Sequence, residues 1–258
     1  MVSDWGTVRE IRTANVHALE VLLREAERIG IQHFIHISTT DVYGYPGLRD
    51  VSEDMRLAPR FSNWYSHTKK EAEFLVRQSA LSYTILRPAT VYGPGSETLV
   101  GEIAKAVQNG FMLLVNGGRS VAGLTYIDHV VDAIETALLN ESAFEEVFNI
   151  ADASPVTWAE FVDRIADGLK VKYRKIELPL SAAYGLGMAM EVGYRHIRGL
   201  TGMKAPALLS RQAVHILGID QHFSIEKAQR HLGFTPTVSF EEGMEKTIKW
   251  VSSRYGLS

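Results

Sequence analysis

A tyrosine and a lysine stand four residues apart in "NWYSHTKKEAEFLV", at Tyr65 and Lys69. On a helix, residues i and i+4 share a face, so both side chains can reach one pocket. A phenol with a pKa near ~10 is a weak base at neutral pH, but a neighbouring ammonium favours the phenolate. Such a pair can exchange a proton with an alcohol or a carbonyl oxygen. The spacing also fits an ordinary helix surface, and Lys70 and Glu71 give this helix a solvated side. Upstream, "STTDVYG" sets three consecutive hydroxyls, Ser38, Thr39 and Thr40, where the β-rich run "HFIHIS" ends. A hydroxyl there can donate to a substrate oxygen while the tyrosine moves the proton. Ser and Thr are common at strand exits and caps on their own account. The two elements in this order are what point to a site.

The elements that must hold these residues follow from periodicity. Asn15 to Ile29 places Val16, Leu19, Leu22, Leu23 and Ala26 on one stripe, and Gly30 supplies a stop. "HFIHIS", "YTILRP" and "EVFNIA" read as short strands, and the intervening segments read as helices of about ten to fifteen residues. That alternation makes a parallel sheet with helices on both faces, whose chemistry collects at the carboxyl ends of the strands. "HIS-TTDVYG" and "LRP-ATVYG" are two such exits. After Ala151 the texture becomes helical, opening with a capping-box pattern at Thr157. The expected division is 1–151, a partial Rossmann-like doubly wound α/β domain, and 152–258, a smaller, mostly helical substrate region returning onto the sheet. Asp128 is expected to cap a helix.

Composition narrows the function. The 258 residues are 46% hydrophobic and 22% charged, with a net charge of −3, which gives no reason to expect nucleic acid or an anionic membrane as partner. Cysteine is absent, which removes disulfides, thiolate nucleophiles and sulfur-ligated metal and suits a reducing, cytoplasmic setting. No secretory signal is expected from the first ten residues. The apolar stretch Leu178 to Met190 is shorter than the roughly 18–20 residues of a spanning helix and reads as a buried or cleft-lining helix. Nine histidines are scattered without a metal-ligand pattern, and no metal is expected. Asp50, Glu53 and Asp54 form a small acidic cluster, expected to be solvated.

The string "NVHALEVLLREAERIGIQHFIHISTTDVYG…YSHTK…YTILRPATVYGPG…TYIDHVVDAI…FNI" resembles the extended short-chain dehydrogenase/reductase family, the NAD(P)-dependent epimerases, dehydratases and hydroxysteroid dehydrogenases. The resemblance runs over nearly the whole chain, and "VSDWG" with the long apolar stretch is most similar to the 3β-hydroxysteroid dehydrogenase branch. It implies Tyr65 as catalytic acid/base and Lys69 as the residue that tunes it and holds the nicotinamide ribose. It implies Thr39 as the hydroxyl that polarises the substrate oxygen, with Ser38 beside it at the nicotinamide end. Pro88, Ala89 and Val91 match the loop bordering the nicotinamide carboxamide, and Asn15 matches a helix position near the cofactor. The implied cofactor is NAD or NADP, the implied partner a small-molecule substrate, and a homodimer is compatible with the family's helix pairing.

One departure stands out. The family's glycine-rich turn, whose backbone meets the cofactor pyrophosphate at a helix N-terminus, is missing from the sequence. Gly185 to Gly193 has the wrong spacing, and Gly117 to Gly123 reads as a turn between strands. Three explanations are open: an incomplete chain, a natural truncation without activity, or a partner that completes the sheet. Intact motifs after the break favour the first, and the chain alone is expected to bind NAD(P) poorly. The expected activity is oxidation or reduction of a secondary alcohol or ketone, with the apolar stretch favouring a sterol-like substrate. A nucleotide-sugar epimerase or dehydratase is the in-class alternative, with Arg195, Arg198 and Arg211 as the cations that could meet a diphosphate. A non-catalytic binding module is the alternative outside the class.

Overall fold

The computed structural model describes residues 7–201 and 210–255, with side chains described outside 195–201. The "VSDWG" segment and the side chains of Arg195 and Arg198 therefore lie outside the described residues. Thr7 opens the first helix with a reciprocal cap: its hydroxyl accepts from Glu10 N (3.2 Å) and Glu10 Oε2 accepts from Thr7 N (2.7 Å). Helix α1 (Val8–Arg12) continues through a π-helical turn, Thr13–His17, into α2 (Ala18–Ile29). The stripe read from the sequence is realised except at one position, because Val16, Leu19, Leu23 and Ala26 are buried whereas Leu22 is 55% exposed. Gly30 ends α2 in the left-handed conformation (φ 69°), which a glycine adopts without steric cost.

Three strands form the central sheet: β1 (Phe34–Ile37), β2 (Tyr83–Pro88) and, much later, a strand at Glu146–Ile150. Between β1 and β2 runs α3 (Trp64–Gln78). A short β3 (Thr90–Tyr92), α4 (Glu102–Gln108), β4 (Phe111–Val115), β5 (Leu124–Tyr126) and α5 (Ile127–Ala137) then lead to the third sheet strand, β6. The order is β1-β2-β6, all parallel, with Phe34 opposite Tyr83 and Thr84 opposite Glu146. Alternation along the strands sends side chains to two faces. Tyr83, Ile85 and Val147 pack with α2 and α3, while Leu86, Phe148 and Ile150 pack with α5 and with α9 (Glu226–Leu232). Helices thus cover both faces, as the βαβ reading requires. The elements between β6 and α9 are α6 (Trp158–Gly168), β7 (Arg174–Leu178), α7 (Leu180–Thr201) and α8 (Arg211–Gly218), and the chain closes with α10 (Phe240–Tyr255).

The boundary expected after Ala151 is crossed by packing. Strand β4 pairs in parallel with β7, and a single core joins Tyr92, Val100 and Leu114 to Trp158, Phe161 and Met244. Thr157 forms the capping box its sequence indicates, Oγ1 accepting from Glu160 N at 3.3 Å and Glu160 Oε2 from Thr157 N at 2.7 Å. Asp128 does not cap α5: Tyr126 occupies that place without a side-chain bond, and Asp128 lies 3.7 Å from Lys246. Within the described residues no helix is long and apolar enough to cross a membrane, and no group of three or more histidines and carboxylates could hold a metal ion.

Candidate active site

The site forms where β1 releases the chain. After Ser38, Thr39 is in extended conformation and caps the 3-10 turn Thr40–Tyr43, accepting from Asp41 N at 3.2 Å. With that lone pair engaged, the hydroxyl proton is left to donate. Gly44 then turns the chain at φ 76°, where a Cβ would stand 2.5 Å from that of Ala58. Asn63 caps α3, accepting from Ser66 N at 2.7 Å, and so sets Tyr65 in the first turn. Thr39 and Tyr65 are each 8% exposed, and the Thr39 side chain is near enough to the phenol to favour its charged form. The sequence therefore brings together the hydroxyl and the phenol it singled out.

The expected tuning of that phenol by Lys69 is corrected here. Burial and the carboxylate of Asp41 push the Tyr65 pKa above the ordinary tyrosine value, and the Thr39 side chain works the other way. Lys69 sends its ammonium instead to the carbonyl oxygen of Ile37, at 2.7 Å. Burial lowers the Lys69 pKa, opposed by Glu73. The contact spends one of the three ammonium donors and leaves the others for a ligand at the strand exit.

Other positions named from the sequence fall around this pair in different roles. Asn15, in the π turn, donates to Thr68 Oγ1 at 3.1 Å, and Thr68 Oγ1 donates to Tyr65 O at 3.0 Å, so Asn15 braces the helix behind the tyrosine. Ser38 donates its hydroxyl proton to Glu73 Oε1 at 2.6 Å, which commits that proton inside the protein. Pro88 ends β2, Ala89 N donates to Ile150 O at 2.9 Å, and Val91 lies opposite Thr125 in β3. The Ala89 amide thus serves the sheet. The acidic cluster is not simply solvated: Glu53 accepts from Asn149 N at 2.7 Å, and Asp50 lies 3.1 Å from His222.

Sequence reasoning missed the wall facing Tyr65. Asp41 accepts from Gln212 Nε2 of α8 at 2.9 Å, across 171 residues of chain. Tyr45, held at φ 61°, is surrounded by Asp41, Gln212 and Ser66, and burial with the Asp41 charge raises its pKa. A tyrosine in left-handed backbone costs of order 1–3 kcal/mol and persists only where its surroundings impose it. His215 lies against Tyr45 (5.5 Å) and stacks on Tyr184 of α7 (5.3 Å), which connects the apolar helix to this wall. The only signal in sequence was positional: Asp41 and Tyr45 flank the "VYG" exit. Arg211 is bound to Glu191 at 2.8 Å, so its charge is already matched.

The donors present fit the nicotinamide-ribose end of a dinucleotide, through Lys69 and Tyr65 at one strand exit. Among the described residues no glycine-rich strand-to-helix turn stands ready for a pyrophosphate.

In sequence and in shape the chain is similar to known proteins. A model of the 3-beta hydroxysteroid dehydrogenase/isomerase family matches residues 1–180. The protein YbjS of Escherichia coli strain K12 is 30% identical over 96% of this chain and 75% of its own length. The 3beta-hydroxysteroid-dehydrogenase/decarboxylase isoform 1 of Arabidopsis thaliana is 27% identical over 92% of this chain, which spans 57% of that protein. In shape, the UDP-glucuronic acid 4-epimerase of Bacillus cereus, solved in complex with NAD, superposes with a TM-score of 0.71 at 22% identity, over 95% of this chain and 67% of that one.

Proposed function

The chain belongs to the 3-beta hydroxysteroid dehydrogenase/isomerase family, within the extended short-chain dehydrogenases, and from that premise we propose that its site oxidises or reduces a secondary alcohol or ketone. One observation carries the reading: a threonine hydroxyl and a buried phenol lie side by side at a parallel strand's exit. A lysine one helical turn on is anchored to the same exit.

Tyr65 rests protonated, because its burial and the Asp41 carboxylate disfavour the phenolate. It is therefore set to give a proton to a carbonyl oxygen that Thr39 also meets. Lys69 holds its ammonium where the ribose of NAD or NADP would lie. Hydride exchange with the substrate carbon is the nicotinamide's own chemistry when it is bound. Thr39, Tyr65 and Lys69 make up the proposed catalytic set, and Asn15 and Ser38 support it from behind. A cytoplasmic location and a homodimer belong to the same proposal.

The apolar helix α7, joined to the wall through Tyr184 and His215, favours a sterol-like or other hydrophobic alcohol. A second reading, a nucleotide-sugar epimerase or dehydratase, is favoured by the polar Asp41–Gln212–Tyr45 wall. Turnover of a 3-oxosteroid against a UDP-sugar, with NADH and NADPH each at saturating concentration to offset the weak binding expected without the glycine-rich turn, separates them. The steroid is expected to be reduced, with Tyr65→Phe lowering kcat/KM by about 10²–10⁴ as loss of general acid catalysis does. Undiminished turnover by Tyr65→Phe would remove the tyrosine from the reaction, and turnover of the sugar alone would transfer the site to the second reading.

A further inference from the structure

Behind the proposed catalytic residues lies a buried polar chain that the reaction itself does not use. Glu73, one turn beyond Lys69 on α3, is 1% exposed and carries a carboxylate in the core. Arg87, 2% exposed on β2, grips it with two parallel bonds, Nε to Oε1 at 2.9 Å and Nη2 to Oε2 at 2.6 Å. Paired in this fork, both charges are satisfied away from water. Ser38, at the exit of β1, adds its own bond to Oε1 at 2.6 Å. Arg87 Nη1 then donates to the Tyr43 hydroxyl at 2.8 Å, and that hydroxyl donates to Asn149 Oδ1 of β6 at 2.8 Å. The guanidinium also lies 4.9 Å from the centre of the Tyr43 ring. Every strand of the central sheet is thus connected, within the core, to one carboxylate on the helix that bears Tyr65 and Lys69.

We propose that Glu73 is the positioning residue of this site: held by Arg87 and Ser38, it locks the helical turn that carries Lys69 against the carbonyl of Ile37. The geometry gives it little alternative. Residues 69 and 73 lie on one helical face, and the two strands that Glu73 reaches, through Ser38 and Arg87, are the two whose exits frame the site. The charged and titratable groups around the Lys69 ammonium are His36 of β1 and Glu73 of its own helix. Naming Lys69 as catalytic rests on the proposed function, but the clamp itself does not, and it can be tested without any turnover.

The test is acetylation of the native chain by acetic anhydride, read by peptide mass spectrometry as the labelling of Lys69 relative to Lys70. Lys70 is the internal reference, because it donates to Ala58 O at 2.7 Å and makes no bond to the buried chain. Glu73→Gln/Arg87→Met removes both buried charges together, so that neither is left in the core without its partner. In that variant, with a cooperative melt retained, the Lys69/Lys70 ratio is expected to rise about fivefold or more, the scale of one lost interaction of ordinary strength. Ser38→Ala, which removes one of the grips, is expected to raise it by a smaller factor. A folded double variant with the parental ratio overturns the proposal. If the double variant does not fold, Ser38→Ala decides alone: a raised ratio supports the clamp, and an unchanged ratio reduces Glu73 to a structural charge. A failed steroid assay with an intact clamp would count against the catalytic reading only.

Discussion

The two flanks of the central sheet are built to different standards. Every residue of β2 is buried, whereas every residue of β1 is only half-buried. On the β6 side, Phe148, Ile150, Ala228 and Phe234 close into a core with exposures of 1% or less. On the β1 side, α2 leaves Val21, Leu22 and Ile29 between 55% and 64% exposed. The proposed catalytic groups sit on the seam, with Thr39 at the exit of the open strand and Tyr65 and Lys69 on the helix that spans it and its neighbour. The difference teaches where precision is needed. Residues that must hold a fixed geometry are tied to the closed side through Glu73 and Arg87, and the open strand holds them only at its exit, through Ile37 O and Ser38.

The largest effect expected from this contrast lies at Arg87. Arg87→Ala leaves the Glu73 carboxylate buried and unmatched, a loss of about 3–5 kcal/mol of folding stability where one partner of a buried pair is removed. Burial by itself disfavours the guanidinium charge, and Glu73 with Tyr43 more than offsets this, raising the Arg87 pKa. Urea denaturation measures the loss. A change under about 1 kcal/mol would mean that water reaches the pair and that the closed flank is looser than its burial indicates.

How much of this was legible in the sequence depends on the range of the interaction. Strand runs, the capping box at Thr157, the glycine stop at Gly30 and the i, i+4 spacing of Tyr65 and Lys69 are local, and each is found where periodicity puts it. The proposed catalytic cluster was readable because strand exits in a parallel sheet face one edge. The anchoring of Lys69 to Ile37 O and the approach of Gln212 to Asp41 depend on tertiary packing over 32 and 171 residues, which no spacing encodes. Arg87 offered a clue that went unused. A charge inside the apolar run "YTILRP" demands a buried partner, and Glu73, also on the inner side of its helix, is the carboxylate that meets it.

A second expectation sets the open strand against pH. His36 on β1 has its pKa lowered to about 4 by burial and by Lys69, with Glu73 opposing, and its Nε2 finds no hydrogen-bond partner. The unfolded chain takes up the proton near pH ~6.5, the folded one only near 4. Stability from this group is therefore fully present above about 6.5 and is lost as pH falls through that window, because the unfolded state binds more protons there. The span corresponds to an order of 3 kcal/mol. Urea midpoints from pH 7.5 to 4 are expected to fall more steeply for the parent than for His36→Leu, while parallel curves would show the ring already solvated on the open flank.

The smallest expected effect is the most direct check on the open flank itself. Leu22→Ala, on the exposed side of α2, should change stability by no more than about 0.5 kcal/mol, as surface substitutions do. Leu23→Ala, one residue on and 6% exposed, should cost about 2–5 kcal/mol. The pair shares a helix, a residue type and nearly the same depth in sequence, so the difference between the two isolates burial. If Leu22→Ala costs more than about 1 kcal/mol, and if that cost grows with protein concentration, the apolar side of α2 is covered in solution by another chain. The asymmetry between the flanks would then belong to the single chain, and the proposed catalytic seam would lie between two closed sides.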